Sequence, residues 1–189
     1  DELAKIAHKK KLKVHLDGAR LFNAHIKTGL SMKQLTSSFD SVSICLSKGL
    51  GAPVGSLLVA NQEIIKKAHR LRKMLGGGMR QVGVIASCGM YALENNIQRL
   101  QEDHDNAKIL AEGLSSIREL SVDFSESQTN MVFVNCPEPH RKPLEKFLFG
   151  KEIIISNLDR GRLVCHLGIE EKDILFVIDA FKEYFKGSA

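Results

Sequence analysis

Apolar positions recur along the chain with two different periods, and the change between them divides it. Residues 1–11 have helical spacing, and the short apolar run Val14-His15-Leu16 then closes on Asp17-Gly18, a strand followed by a turn. Residues 22–39 mix helix and loop, with Ser31 as a helix cap. Residues 41–46 are apolar and β-branched and end at Ser47-Lys48-Gly49. Pro53 and Gly55 turn the chain back into residues 56–59, so the two runs read as a hairpin. Ile64, Ile65, Ala68, Leu71 and Leu75 form one stripe of a helix over 61–75, which Gly76-Gly77-Gly78 breaks. A helix of smaller residues follows over 79–95. Its stretch 82–93 reads as a buried helix, and a more polar helix continues to about Ile117.

Beyond that point the texture changes. Residues 122–124, 131–134, 153–155 and 162–166 are short strand candidates, and 143–149 and 172–185 are helical. The alternation predicts a small α/β unit after a larger one, with domains over 1–112 and 113–189. The first region supplies only about three strands, too few to complete a buried, largely parallel sheet. It also opens on a helix without a capping residue. The expectation is therefore a sequence truncated at its amino end, with an incomplete sheet.

Composition narrows the function classes. Net charge is +5 over 189 residues, spread along helices, and Lys9-Lys10-Lys11 reads as a solvated helix end. No aromatic residues interleave with a basic stripe, so no nucleic-acid partner is expected. The four cysteines, Cys45, Cys88, Cys136 and Cys165, form no CxxC pair. That spacing predicts neither a disulfide framework nor a metal site, and suits a reducing, cytoplasmic setting. The longest uncharged apolar stretch, 82–93, is too short for a bilayer span, so no membrane partner is expected.

The candidate chemistry sits where predicted strands end. Asp17, followed by Gly18-Ala19-Arg20, and Lys48, between Ser47 and Gly49, both follow strands. In open α/β sheets ligands bind beyond the carboxyl ends of strands. A carboxylate and a lysine in one such crevice suit pyridoxal phosphate: the carboxylate keeps the pyridine nitrogen protonated and the lysine joins the cofactor aldehyde. Taken singly, each residue is also an ordinary turn aspartate or surface lysine. Gly76-Gly77-Gly78, flanked by Lys73 and Arg80, offers backbone amides to an anion, but on spacing alone a plain helix break is the better reading. Arg162 could grip a carboxylate with its planar fork or lie on a solvated edge strand. His166 could carry a proton, although a satisfied core or interface histidine is the default.

Taken in order, these segments resemble the threonine aldolases, fold-type-I pyridoxal-phosphate enzymes. The resemblance runs through His15-Leu16-Asp17-Gly18-Ala19-Arg20, Leu46-Ser47-Lys48-Gly49-Leu50 and Ala52-Pro53-Val54-Gly55-Ser56. It continues through Arg72-Lys73-Met74-Leu75-Gly76-Gly77-Gly78-Met79-Arg80-Gln81, Glu102-Asp103-His104, Thr129-Asn130-Met131-Val132 and Arg162-Leu163-Val164.

The resemblance implies the carboxy-terminal part of a large, mostly parallel-sheet domain followed by a small α/β domain. It implies pyridoxal 5'-phosphate as cofactor, with Lys48 as its covalent lysine and Asp17 on the ring nitrogen. Arg20 would lie beside the cofactor, Lys73 and Arg80 would reach the phosphate region of a neighbouring subunit's site, and Arg162 would hold the substrate carboxylate. The implied reaction cleaves threonine or allo-threonine to glycine and acetaldehyde in a homo-oligomer, a dimer of dimers with sites at subunit interfaces. Two departures stand out. The family's upstream phosphate loop and ring-stacking histidine are not in this sequence, and Cys165 replaces the usual threonine before the last histidine. The competing expectations are a non-catalytic remnant or dimerising partner, and a lyase of the same cofactor class acting on another side chain.

Overall fold

The computed structural model describes residues 2–155 and 157–187. By packing, it divides into two compact units, residues 1–100 and 101–189.

In the first unit, α1 (Glu2–Lys9) leads into β1 (His15–Gly18), α2 (Leu21–Thr28), α3 (Met32–Thr36), β2 (Ser41–Cys45), β3 (Ser56–Ala60), α4 (Gln62–Met74) and α5 (Gly83–Asn95). The helix expected over 1–11 is thus α1, with Asp1 outside the described residues. The sheet has the order β1-β2-β3, with β1 parallel to β2 and β2 antiparallel to β3 as the expected hairpin. Alternation along β2 sends Val42 and Ile44 inward, where they pack with Leu21, Leu16, Phe22 and Leu35 beneath α2 and α3. The cap read from sequence at Ser31 is built as such. Ser31 Oγ accepts from Gln34 N–H while Gln34 Oε1 accepts from Ser31 N–H, a capping box. A second cap, not read from the sequence, starts α4, where Asn61 Oδ1 accepts from Ile64 N–H.

The expectation of a buried helix over 82–93 is not met. Helix α5 buries Gly89 and Ala92 against Leu46, Leu50 and Leu100, while Val84, Met90 and Tyr91 are more than half exposed. Its residues are apolar around most of the helix, but within this unit only one face meets a core. Leu57, Leu58 and Val59 of β3 and Leu71 and Met74 of α4 are exposed in the same way. Nor does α5 begin at Met79: residues 80–82 form a turn in which Gln81 has a φ of 47°.

The second unit takes most of α6 (Leu100–Ser115), then β4 (Ser121–Val122), β5 (Met131–Asn135), α7 (Glu138–Phe149), β6 (Gly161–Val164) and α8 (Glu171–Lys186). Its sheet is antiparallel throughout, in the order β4-β5-β6. Val132 and Val134 of β5 are fully buried with Leu114, Leu144, Leu148, Ile178 and Phe181, so the helices cover one face of the sheet. Ala107, Leu110, Ala111 and Leu114 of α6 belong to this core, which is why the packing division falls near residue 100 and not after residue 112. The strand expected over 153–155 does not form; Ile153 and Ile155 pack against the core as irregular chain. The last strand stops at Val164, leaving His166 beyond its end. Among the described residues, no helix is long and apolar enough to cross a membrane.

Candidate active site

Parallel pairing of β1 with β2 brings their carboxyl ends side by side, with Asp17 opposite Ser43 and Gly18 opposite Ile44. Asp17 is exposed at that end, and its Oδ1 accepts from Ala19 N–H at 3.1 Å. Gly18 allows the close pairing: a methyl group there would sit 2.6 Å from the Ser43 carbonyl oxygen. Three residues beyond β2, Lys48 lies in a loop closed by hydrogen bonds. Leu46 N–H donates to Gly55 O, Ala52 N–H to Leu46 O, and Gly51 N–H to Lys48 O at 2.8 Å. Gly51 and Gly55 supply the left-handed backbone that the loop requires, with φ of 74° and 119°. Leu46, Leu50 and Ala52 anchor the loop inside, and Asn96 Nδ2 donates to Leu50 O at 2.8 Å. Ser47 and Lys48 are therefore held outward, exposed, on a fixed base.

A small cleft joins these pieces. Arg20, Asn23, Cys45 and Lys48 line it, so Lys48 and Arg20 share one site beside the strand end that carries Asp17. Lys73 and Arg80 are not brought to it. Both are exposed, one in the last turn of α4 and one in the turn after it. The glycine run between them serves the helix end. Gly77 N–H donates to Arg72 O and Gly76 N–H to Lys73 O, with Gly76 at φ 85°. This is a Schellman cap, and it uses two of the amides an anion would have needed. Helix α5 begins only at Gly83, well past the run.

Arg162 belongs to the second unit. It lies opposite Phe133 on β6, exposed, and lines a cleft of about 1010 Å³ with Arg160, His166, Ile155 and Asp173. His166 is not a core histidine. It is exposed at the same cleft, with Nδ1 2.8 Å from the Leu167 carbonyl oxygen. Behind it the Cys165 thiol is buried, which pushes its pKa up to about 12, with the Asp103 carboxylate adding to the effect. Cys165 is held as a thiol and supplies no nucleophile at neutral pH. Asp103 and Asn130 lie within the blocks that carry the resemblance but had no role assigned, and sequence reasoning missed Asn106; all three are buried. An asparagine directly before a β-branched strand was the available signal. Among the described residues no group of histidine, cysteine and carboxylate side chains could hold a metal.

Comparison with known proteins bears on both units. The model of the beta-eliminating lyase family matches residues 1–137. The low specificity L-threonine aldolase of Escherichia coli O157:H7 is 50% identical over 163 residues, 86% of this chain and 48% of that protein. The low-specificity L-threonine aldolase 1 of Arabidopsis thaliana is 42% identical over 188 residues, 97% of this chain and 52% of that protein. The chain thus spans about half the length of the curated relatives it matches. Among solved structures, the threonine aldolase of Leishmania major superposes with a TM-score of 0.76 over 97% of this chain and 55% of its own, at 19% identity. The fold is that of the fold-type-I pyridoxal-phosphate enzymes.

Proposed function

The chain belongs to the beta-eliminating lyase family, and on that premise we propose that it carries the lysine-bearing part of a pyridoxal-phosphate enzyme that cleaves threonine-type β-hydroxy-α-amino acids to glycine and an aldehyde. The carrying observation is the placement of Lys48 and Asp17 at the ends of two paired parallel strands, with Arg20 in the Lys48 cleft. The likeness to the bacterial and plant L-threonine aldolases supports the choice of substrate class.

The residues present fit pyridoxal phosphate. Lys48 is exposed on a rigid loop, and Asp17 spends one carboxylate oxygen on Ala19 N–H and keeps the other for the ring nitrogen. When bound, the cofactor supplies an electron sink for the pair released as the Cα–Cβ bond breaks. Lys48 would hold the cofactor through its amine. Asp17 would keep a proton on the ring nitrogen, and Arg20 would bind beside the ring. Arg162 would clamp the substrate carboxylate with two parallel N–H donors and orient the amino acid. Lys73 and Arg80 would serve the phosphate region of a neighbouring subunit's site in a homo-oligomer, consistent with their distance in sequence and place from the Lys48 cleft. In this reading the first unit is part of the large cofactor-binding domain, the second unit is the small domain, and the setting is cytoplasmic.

The test is borohydride treatment of the complete gene product followed by peptide mass analysis. The cofactor is expected on Lys48, with Lys48→Ala unlabelled; a label on another lysine overturns the assignment.

A further inference from the structure

Residues 166–168 protrude, exposed, at the cleft that holds Arg162, and the chain is pinned on both sides of them by a buried asparagine. On one side, Cys165 N–H donates to Asn130 O at 2.9 Å, and the Asn130 Nδ2 donates back to Cys165 O at 2.9 Å. In a regular antiparallel rung the two residues exchange two backbone bonds. Here the side-chain amide takes the place of one of them, directly after the last ladder pair, Met131 with Val164. Among the described residues strand β6 pairs only with β5, so this rung closes the free end of the strand that carries Arg162. On the other side, Asn106 Nδ2 on α6 donates to Ile169 O at 3.2 Å, after Ile169 N–H has donated to His166 O across a turn with Gly168 at φ 94°.

Packing does not explain these amides. Asn130 is 2% exposed, and its Oδ1 has no hydrogen-bond partner among the described residues. A buried acceptor left unmade is unfavourable, so an apolar residue of this size would serve the core better. What the asparagine provides is the bond to Cys165, three residues from Arg162 and one from His166.

We propose that Asn130 and Asn106 are positioning residues that fix segment 162–169, and so set the affinity with which Arg162 takes the substrate carboxylate. The proposal rests on the reading of Arg162 given above. Neither residue touches the substrate; both act through the chain that carries Arg162 and His166.

The test uses the complete, cofactor-loaded gene product with Asn130→Ala and Asn106→Ala, each alone and combined with Arg162→Ala. Each single variant should raise the threonine KM about tenfold, as for one lost oriented hydrogen bond, with kcat within about twofold. In the Arg162→Ala background the same changes should move KM little, because residues acting through one group are not additive. Amide exchange should quicken at 165–169 and stay unchanged along α8. Additive effects, or a joint fall of kcat and thermal midpoint without a change in KM, would make these residues structural only and overturn the proposal. If Asn130→Ala fails to fold, Asn106→Ala, with its longer bond, decides by the same criteria. If the parent protein binds no amino acid, the proposed function fails by itself, and local exchange at 165–169 then decides whether the pins exist.

Discussion

At the residue scale, the proposed chemistry separates into groups that can be tested one by one. Asp17→Asn keeps the shape of the side chain and its acceptor for Ala19 N–H but removes the charge. It should leave cofactor binding largely intact while turnover falls sharply; unchanged turnover would show that the ring nitrogen does not depend on Asp17. Arg162→Lys keeps a positive charge and loses the planar fork. Amino-acid binding should weaken by roughly 1.5–3 kcal/mol, the range for a charge-assisted hydrogen bond, with cofactor absorbance preserved. Loss of cofactor with normal amino-acid affinity would instead place Arg162 at the cofactor.

At the scale of elements, two predictions concern how strands and helices are held. The β1–β2 pair depends on Gly18, where an added methyl would press on the Ser43 carbonyl and not on a flexible side chain. Gly18→Ala should therefore part the two strands at the end that carries Asp17, which lower protection of the strand amides would report. The second prediction concerns α1, which is tied to the start of β2 by Asp40. Its carboxylate accepts from Lys13 Nζ at 2.8 Å and Val14 N–H at 2.9 Å, and meets His8 Nε2 at 2.9 Å. The Lys13 ammonium first, then the Val14 amide and His8, hold the Asp40 carboxyl well below the usual carboxylate range. A carboxyl depressed in the folded state stabilises it above the unfolded pKa, and that stability is lost as pH falls through the folded value. The thermal midpoint should fall on acidification below the ordinary carboxylate range, and Asp40→Asn should flatten that part of the pH profile. An unaltered profile would remove Asp40 as its cause.

Across the whole molecule, the apolar residues divide unequally between the units. The second unit encloses Leu114, Val132, Leu144, Leu148 and Phe181 completely, whereas the first leaves Leu71, Met74, Val84, Met90 and Tyr91 more than half exposed on α4 and α5, and Leu57, Leu58 and Val59 at least 40% exposed on β3. Apolar surface of this kind marks an interaction face or an aggregation hazard. The 189-residue polypeptide should associate as its concentration rises and bind a hydrophobic dye. A sedimentation profile that stays monomeric at high concentration would contradict this.

Local rules made much of the chain legible before any fold was known. Ser31 as a cap, the hairpin turning through Pro53 and Gly55, and the helix stripe ending at the glycine run follow from backbone geometry and from satisfying helix-end amides. Lys48 and Asp17 stood out because each reads as following a strand; the structure puts Asp17 inside β1, one residue before its end, and Lys48 three residues past β2. Other features depended on which surfaces meet. An all-round apolar pattern cannot show whether a partner covers it, so α5 was expected buried and is largely exposed. Residues 153–155 have strand composition but gain no ladder, because strand formation requires a neighbour's backbone as well as propensity. The sequence presents Asn106 and Asn130 as ordinary polar residues 24 positions apart. Only the packing of α6 and β5 brings both amides to the ends of the loop beside Arg162, because pairings so distant in the chain are fixed by the folded core and not by local order.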